Sequence, residues 1–148
     1  MVKKITLAGA LLGFLALSAS SQVFAQANDL EQRQNLMKRQ NADAKALKAA
    51  VEAKDYAAVE LKAKDLISTS DKIFGLFPKG SDSGKTRAKP EIWEKPDEFA
   101  KYAKSLNKSA NELAAAAKAG NDADVNVKLK ELGAVCTSCH KEFRAAKN

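Results

Sequence analysis

Apolar residues recur every three or four positions through four long stretches of the chain, whereas strand-like alternation is not evident. Such a period places the apolar side chains along one face of an α-helix. We therefore predict four amphipathic helices, which open near Asp29, Asp55, Asp97 and Asp122. Asp29 is a plausible N-cap of the first helix, and Gly120 is expected to end the third.

Each predicted helix has an apolar stripe that should face a common core. The stripes comprise Leu30, Met37, Ala44, Leu47 and Val51; Val59, Ala63, Leu66, Ile73 and Phe77; Phe99, Tyr102, Leu106, Ala110, Leu113 and Ala117; and Val125, Leu129, Leu132, Cys136, Cys139 and Phe143. The stripe of the third helix is the most regular. This composition, rich in Ala, Lys, Leu and Glu, favours helices throughout.

Only the connection between the second and third helices is long, and it contains all three prolines between Gly75 and Pro96. The other two connections are short, so each pair of helices forms an antiparallel hairpin. The sequence thus predicts an all-α, antiparallel four-helix bundle with one long crossover loop between helices 2 and 3. Such bundles hold cofactors between facing helices. The crossover stretch PEIW, 90–93, is expected to lay Trp93 over one end of the core.

The first 25 residues have the pattern of a cleaved signal peptide, with Lys3 and Lys4 before an apolar run and a small-residue site ending at Ala25. The run is too short to span a bilayer comfortably, so we expect no stable membrane insertion after cleavage. The predicted mature domain is 26–148, exported to a bacterial periplasm. The whole chain has a net charge of +7, but lysines alternate with acids along it and no block of like charge stands out. This alternation indicates a solvated surface rather than nucleic-acid binding.

Both cysteines and the only histidine of the chain lie in one stretch, CTSCH, from Cys136 to His140. A C-x-x-C pair can form a redox disulfide, half of a zinc site or a covalent haem attachment. A structural zinc site needs four nitrogen or sulfur ligands, and a thioredoxin-like pair follows a strand. C-x-x-C-H is the attachment pattern of haem c. A disulfide, or a thiol oxidoreductase without haem, stays as an alternative.

The spacing of this motif suits one covalent haem c. Thiols three positions apart on a helix project from the same side, so Cys136 and Cys139 can form thioethers to one edge of the porphyrin. His140 follows as the proximal iron ligand, and Gly133 leaves room for the ring. The aromatic residues are expected to form core and haem-pocket walls: Phe74, Phe77, Trp93, Phe99, Tyr102 and Phe143.

The sequence resembles the class II c-type cytochromes, the cytochrome c' and cytochrome c-556 family. The resemblance rests on C-x-x-C-H near the C-terminus followed by Phe143 and Arg144, on PEIW in the crossover, and on the pair Arg33 and Gln34. It implies a four-helix bundle, places Arg33 and Gln34 near the haem propionates, and places Arg144 over the proximal imidazole. The alternative for either arginine is a solvated surface charge, as we expect for Lys38 and Arg39.

Met37 is the only methionine of the predicted mature domain. On spacing alone, a methionine on an apolar stripe would fill the core. The resemblance changes this interpretation, because Met37 stands four residues after Arg33, where cytochrome c' members carry an apolar residue. Members with methionine there resemble cytochrome c-556. We therefore expect Met37 to be the distal iron ligand of a low-spin haem.

Two protein ligands to iron would leave no open site for oxygen or substrate, so we expect an electron-transfer carrier and not an enzyme. Its partners would be redox proteins of the periplasm, and the sequence does not choose between a monomer and a homodimer. The alternative is a five-coordinate protein like cytochrome c', which binds nitric oxide or carbon monoxide.

Overall fold

The computed structural model describes residues 16–146. Its helices are α1 (Ala16–Glu52), α2 (Tyr56–Ile73), α3 (Glu91–Glu94), α4 (Pro96–Lys118) and α5 (Asp122–Phe143). A 3-10 turn, Phe74–Leu76, extends α2. Helices α1, α2, α4 and α5 are the four of the predicted bundle, and the short α3 lies in the crossover. Within 16–146 the only strand-like pairing is one bridge between Ala88 and Arg144.

Three of the four predicted helix starts are confirmed. Asp55 caps α2 by accepting a hydrogen bond from the backbone N–H of Ala58. Pro96 occupies the first turn of α4, where its missing N–H costs nothing. Asn121 caps α5, one residue before the expected start, and Gly120 has the positive φ of 65° that lets the chain leave α4.

The predicted start at Asp29 is wrong, because α1 begins at Ala16 and runs through it. No proline or glycine interrupts the chain between these two positions, so the helix continues. The lysines of the predicted signal peptide, Lys3 and Lys4, lie outside the described residues, whereas its end, 16–25, belongs to α1. In the part of the chain that is described, no helix is both long and apolar enough to cross a membrane.

The core lies where α2 and α4 pack against each other, against α1 and against α5. Helix α2 packs against α1 and α4, and α4 packs against α5, but α1 and α5 make little direct contact. The side chains of Leu47, Val59, Leu113 and Val125 are at most 1% exposed. Three of the four pairs of neighbouring helices therefore pack closely, and the fourth pair, α1 and α5, packs loosely.

Two predicted core positions are wrong. Ala44 is exposed, and the preceding Asp43 is buried in its place, 3.3 Å from the ammonium group of Lys62 on α2. The buried positions of this part of α1 are instead Asp43, Leu47, Ala50 and Val51, whose steps of three and four residues define one helix face. Phe74 is 50% exposed because the 3-10 turn carries it away from the core-facing side of α2.

The aromatic residues of the crossover and of α4 and α5 form one cluster at one end of the bundle. Phe77 lies beyond α2 and contacts Trp93 at 6.1 Å and Phe99 at 4.8 Å between ring centroids. Phe143 contacts both Phe99, at 5.2 Å, and Tyr102, at 5.7 Å. Trp93 packs at the edge of the core as a half-buried residue, whereas its neighbour Ile92 is the buried side chain of α3.

Gly84 allows the crossover to approach α1. Its φ is +88°, and a Cβ built on it would lie 2.9 Å from Leu30 Cδ2. We expect Gly84→Ala to lower the free energy of unfolding by about 2 kcal/mol, because a left-handed conformation costs an L-residue roughly 1–2 kcal/mol before the contact is relieved. Urea denaturation measures the change.

Gly75→Ala is the matched control for this substitution, since nothing lies within 4 Å of a Cβ at that position. Equal stability of the Gly75 and Gly84 variants would contradict the close approach of the crossover to Leu30.

Candidate functional site

Helix α5 places the two cysteines where the core meets the solvent. Cys136 and Cys139 are half-buried free thiols that pack against the core. They continue the buried stripe of Val125 and Leu132, and Phe143 closes it. His140, the next residue, is exposed. The motif thus presents two sulfurs on the inner side of α5 and an imidazole at its rim.

The two thiols lie in surroundings that keep them protonated. Burial raises the pKa of Cys136, and burial together with the neighbouring Cys136 and Glu142 raises the pKa of Cys139 to about 11. Reactive redox cysteines need the opposite shift, because the thiolate is the nucleophile. This environment argues against a thiol oxidoreductase without haem.

His140 is prepared to bind a metal as a neutral imidazole. Partial desolvation of the ring lowers its pKa, and the positive charges of Arg144 and Arg87 lower it further. A metal-bound histidine must be neutral, so both effects favour ligation at neutral pH. Among residues 16–146 no group of three or more His, Cys, Asp and Glu side chains is placed to hold a metal ion, so the zinc alternative lacks a ligand set.

The surroundings of the motif have room for a flat macrocycle. A Cβ at Gly133, one turn before Cys136, would meet nothing within 4 Å. Helices α1 and α5, which carry Met37 and the two cysteines, are loosely joined, so a group can lie between them. A separate open hollow of about 680 Å³ lies beside His140 and is lined by neither cysteine. The residues present therefore fit haem c, which Cys136 and Cys139 would hold at its edge and His140 at its iron.

Met37, the predicted distal ligand, lies on α1 as a half-buried residue packed against the core. Its neighbours Lys38 and Arg39 are exposed, as expected. One helical turn earlier, Arg33 is buried, with 3% of its surface exposed. Met37 is thus on the inward side of α1, at the edge of the core rather than in its centre.

The predicted haem-periphery residues of α1 are bound to the crossover. Arg33 donates a hydrogen bond to the backbone oxygen of Ser81 at 3.1 Å, and its guanidinium lies 4.6 Å from the centre of the Phe77 ring. Burial lowers the pKa of Arg33. Gln34 donates to the backbone oxygen of Lys85 at 2.9 Å. The surface-charge alternative is therefore wrong for Arg33, and the propionate contacts of both residues stay predictions.

The end of α5 is tied to the crossover as well. The backbone N–H of Lys89 donates a hydrogen bond to the backbone oxygen of Phe143 at 3.1 Å. The backbone N–H of Ala145 donates one to the backbone oxygen of Arg87 at 2.8 Å. Arg144 is exposed and shares the hollow with His140. Sequence reasoning missed Arg87 and Lys89, which line the same hollow, because only the tertiary fold brings the crossover to this end of α5.

A four-helix bundle with C-x-x-C-H on its last helix defines a c-type haem protein. The family model described as Cytochrome C' matches residues 28–144. The chain therefore belongs to the cytochrome c' family, as the motifs indicated, and its cofactor is haem c.

Relatives within this family carry more than one name. The chain is 39% identical to a cytochrome c' of Rhodospirillum rubrum over 56% of its own length and 57% of the relative's. It is 36% identical to a cytochrome c-556 of Agrobacterium tumefaciens over 82% of its own length and all of that protein. The chain spans about half the length of several of these curated relatives, including a cytochrome c-554 of Cereibacter sphaeroides at 46%.

Solved structures confirm the fold. The chain superposes on the crystal structure of cytochrome c' from Thermochromatium tepidum with a TM-score of 0.75 and 29% identity. The match covers 82% of this chain and 97% of that one. The predicted four-helix bundle is thus confirmed by the structure and by its relatives.

Proposed function

We propose that this protein is a periplasmic electron carrier in which His140 and Met37 hold the haem iron from opposite sides. The observation that carries the proposal is the half-buried thioether of Met37 on the inward side of α1. A thioether is one of the few protein groups that bind haem iron well, and methionine opposite histidine is the pairing of cytochromes c. The similarity to a cytochrome c-556 along that protein's whole length supports this assignment.

The crossover supports the proposal by linking the two helices that carry the ligands. Arg33 and Gln34, just before Met37, bind the first part of the crossover through Ser81 and Lys85. Its last part, near Lys89, binds the end of α5 through Phe143. Because α1 and α5 touch little directly, these hydrogen bonds add a link between them to the packing through α2 and α4. A fixed separation favours electron transfer, since little has to move when the charge changes.

Each of the four site residues has its own part in the proposed chemistry. When bound, haem c supplies one-electron oxidation and reduction. Cys136 and Cys139 would hold it covalently, and His140 would supply a neutral nitrogen ligand. Met37 supplies a soft sulfur ligand, which favours the reduced state relative to a second imidazole. If His140 and Met37 both held the iron, the chain itself would exclude small molecules unless they displaced one of these two residues.

The location and partners follow from the same proposal. The N-terminal lysines and apolar run predict export through a signal peptide, with cleavage after Ala25. Periplasmic redox proteins would then deliver and accept the electron.

A second candidate function is diatomic gas binding at a five-coordinate iron. The match to the family model and the 39% identity to a cytochrome c' support it. It requires that Met37 only fill the core and leave the distal side of the iron accessible. The two candidates therefore differ in a single bond.

Absorption spectra of the holoprotein in both oxidation states separate the two. We expect low-spin spectra, a sulfur-to-iron charge-transfer band in the near infrared for the oxidised form, and slow uptake of carbon monoxide by the reduced form at neutral pH. High-spin bands together with rapid carbon monoxide binding would favour the gas-binding protein instead.

A further inference from the structure

Positive side chains surround the hollow beside His140. Four residues of its lining are cationic, Arg87, Lys89, Lys141 and Arg144, and no aspartate or glutamate lines it. We call this surface, defined by these four residues, the basic hollow. It brings together residues of the crossover and of the end of α5 that lie more than 50 positions apart in the sequence.

Most of this positive charge is not neutralised by the protein itself. Among residues 16–146, Arg87, Lys141 and Arg144 form no ion pair, and only Lys89 has a carboxylate partner, Glu91 at 3.2 Å. Elsewhere lysines are often paired; Lys128, for example, lies within 3.1 Å of carboxylate oxygens of both Glu112 and Glu131. The basic hollow therefore offers charge for a partner outside the chain.

One cation of the basic hollow, Arg87, is held in place by hydrogen bonds, and backbone pairing anchors the segment that carries it. Ala88 and Arg144 form the bridge between the crossover and the segment after α5. The guanidinium of Arg87 donates two hydrogen bonds to the backbone oxygen of Ala145, at 3.0 and 2.6 Å. Preorganised charges bind with a smaller loss of side-chain entropy than mobile ones.

We infer that the basic hollow is the docking surface for an acidic redox protein. This inference rests on the proposed electron-carrier function and names the kind of partner and its place. Electron transfer slows steeply with distance, and a protein docked here would sit against His140, the exposed iron ligand. Carboxylates on its surface would complement Arg87, Lys141 and Arg144. Such complementarity raises association rates by roughly 10- to 1,000-fold at low ionic strength.

Two inorganic oxidants of opposite charge test the inference on the reduced holoprotein. One electron passes from the protein to hexacyanoferrate(III), which becomes hexacyanoferrate(II), or to tris(phenanthroline)cobalt(III), which becomes the cobalt(II) complex. Stopped-flow mixing measures the second-order rates over a range of salt concentrations. We expect the rate with the anion to fall as salt rises and the rate with the cation to increase, because salt screens the basic hollow.

Charge variants locate the effect on the surface. Lys141→Glu should lower the low-salt rate with hexacyanoferrate(III) about tenfold and raise the rate with the cobalt complex. Lys118→Glu makes the same change in net charge at the end of α4 and is the matched control. Arg87→Gln combined with Lys141→Gln is the second variant, and a melting curve followed by circular dichroism shows that each variant is folded.

Equal effects of Lys141→Glu and Lys118→Glu would overturn the inference, as would a rate with hexacyanoferrate(III) that does not fall as salt rises. The inference would also be overturned if Lys141→Glu left the oxidation rates unchanged but abolished binding to anionic phosphatidylglycerol vesicles. That result would assign the surface to lipid. The near-infrared sulfur-to-iron band, recorded on the same samples, tests Met37 ligation separately.

Discussion

Replacing Met37 by alanine is expected to turn a six-coordinate haem protein into a five-coordinate one. The short side chain cannot reach the iron, so the oxidised protein should become high-spin and lose its sulfur-to-iron charge-transfer band. The reduced protein should bind carbon monoxide rapidly. The reduction potential should fall by on the order of 0.1 V, a fraction of the ~0.8 V range that axial ligands set. Absorption spectroscopy and a redox titration measure both changes.

Leu36→Ala is the matched control for Met37→Ala. Leu36 is the preceding residue of α1 and is likewise half-buried against the core. Its loss should change stability slightly and leave the haem spectrum unaltered. If the two variants had the same spectrum as the natural protein, Met37 would be a core residue and the distal side of the iron would have another occupant.

Replacing Leu113 by alanine is expected to cost the most stability of any single apolar substitution discussed. Leu113 lies on α4, the helix that packs against both α2 and α5, and its side chain is 0% exposed. Truncating a buried leucine leaves a cavity and costs about 2–5 kcal/mol. For a chain of this size the melting temperature should fall by roughly 10 °C or more.

Leu61→Ala is the control, since Leu61 on α2 is 59% exposed. It should change the free energy of unfolding by less than about 0.5 kcal/mol. Denaturant titration of both variants measures the difference, and a loss at Leu61 as large as that at Leu113 would contradict the placement of the core between α2, α4 and α5.

The helices of the bundle could be predicted because their signals are local. Asp55, Pro96 and Gly120 act on the first or last turn of a helix, and their effect depends on neighbours in sequence. Asp29 does not cap a helix start, because the residues before it are themselves compatible with a helix and α1 continues through this position.

The haem attachment could be predicted because it needs three residues within five positions of one helix. The spacing of Cys136, Cys139 and His140 on the helix is enough to fix how their side chains lie relative to one another. Met37 has no such local signal, because its place on the apolar stripe of α1 is the same for an iron ligand and for a core residue.

The surroundings of the site depend on contacts between distant parts of the chain. The burial of Arg33 follows from its contacts with Ser81 and Phe77 in the crossover. The basic hollow exists because Ala88 pairs with Arg144, more than 50 positions away. Neither contact leaves a periodic pattern in the sequence, since each involves irregular chain whose path is set by the packed helices.

The most direct test of the axial assignment is a crystal structure of the holoprotein, solved in the oxidised and reduced states. The account predicts that the sulfur atom of Met37 is bonded to the iron in both states, opposite the imidazole of His140. A Met37 sulfur turned into the core, with a vacant or water-filled position at the iron, would contradict it.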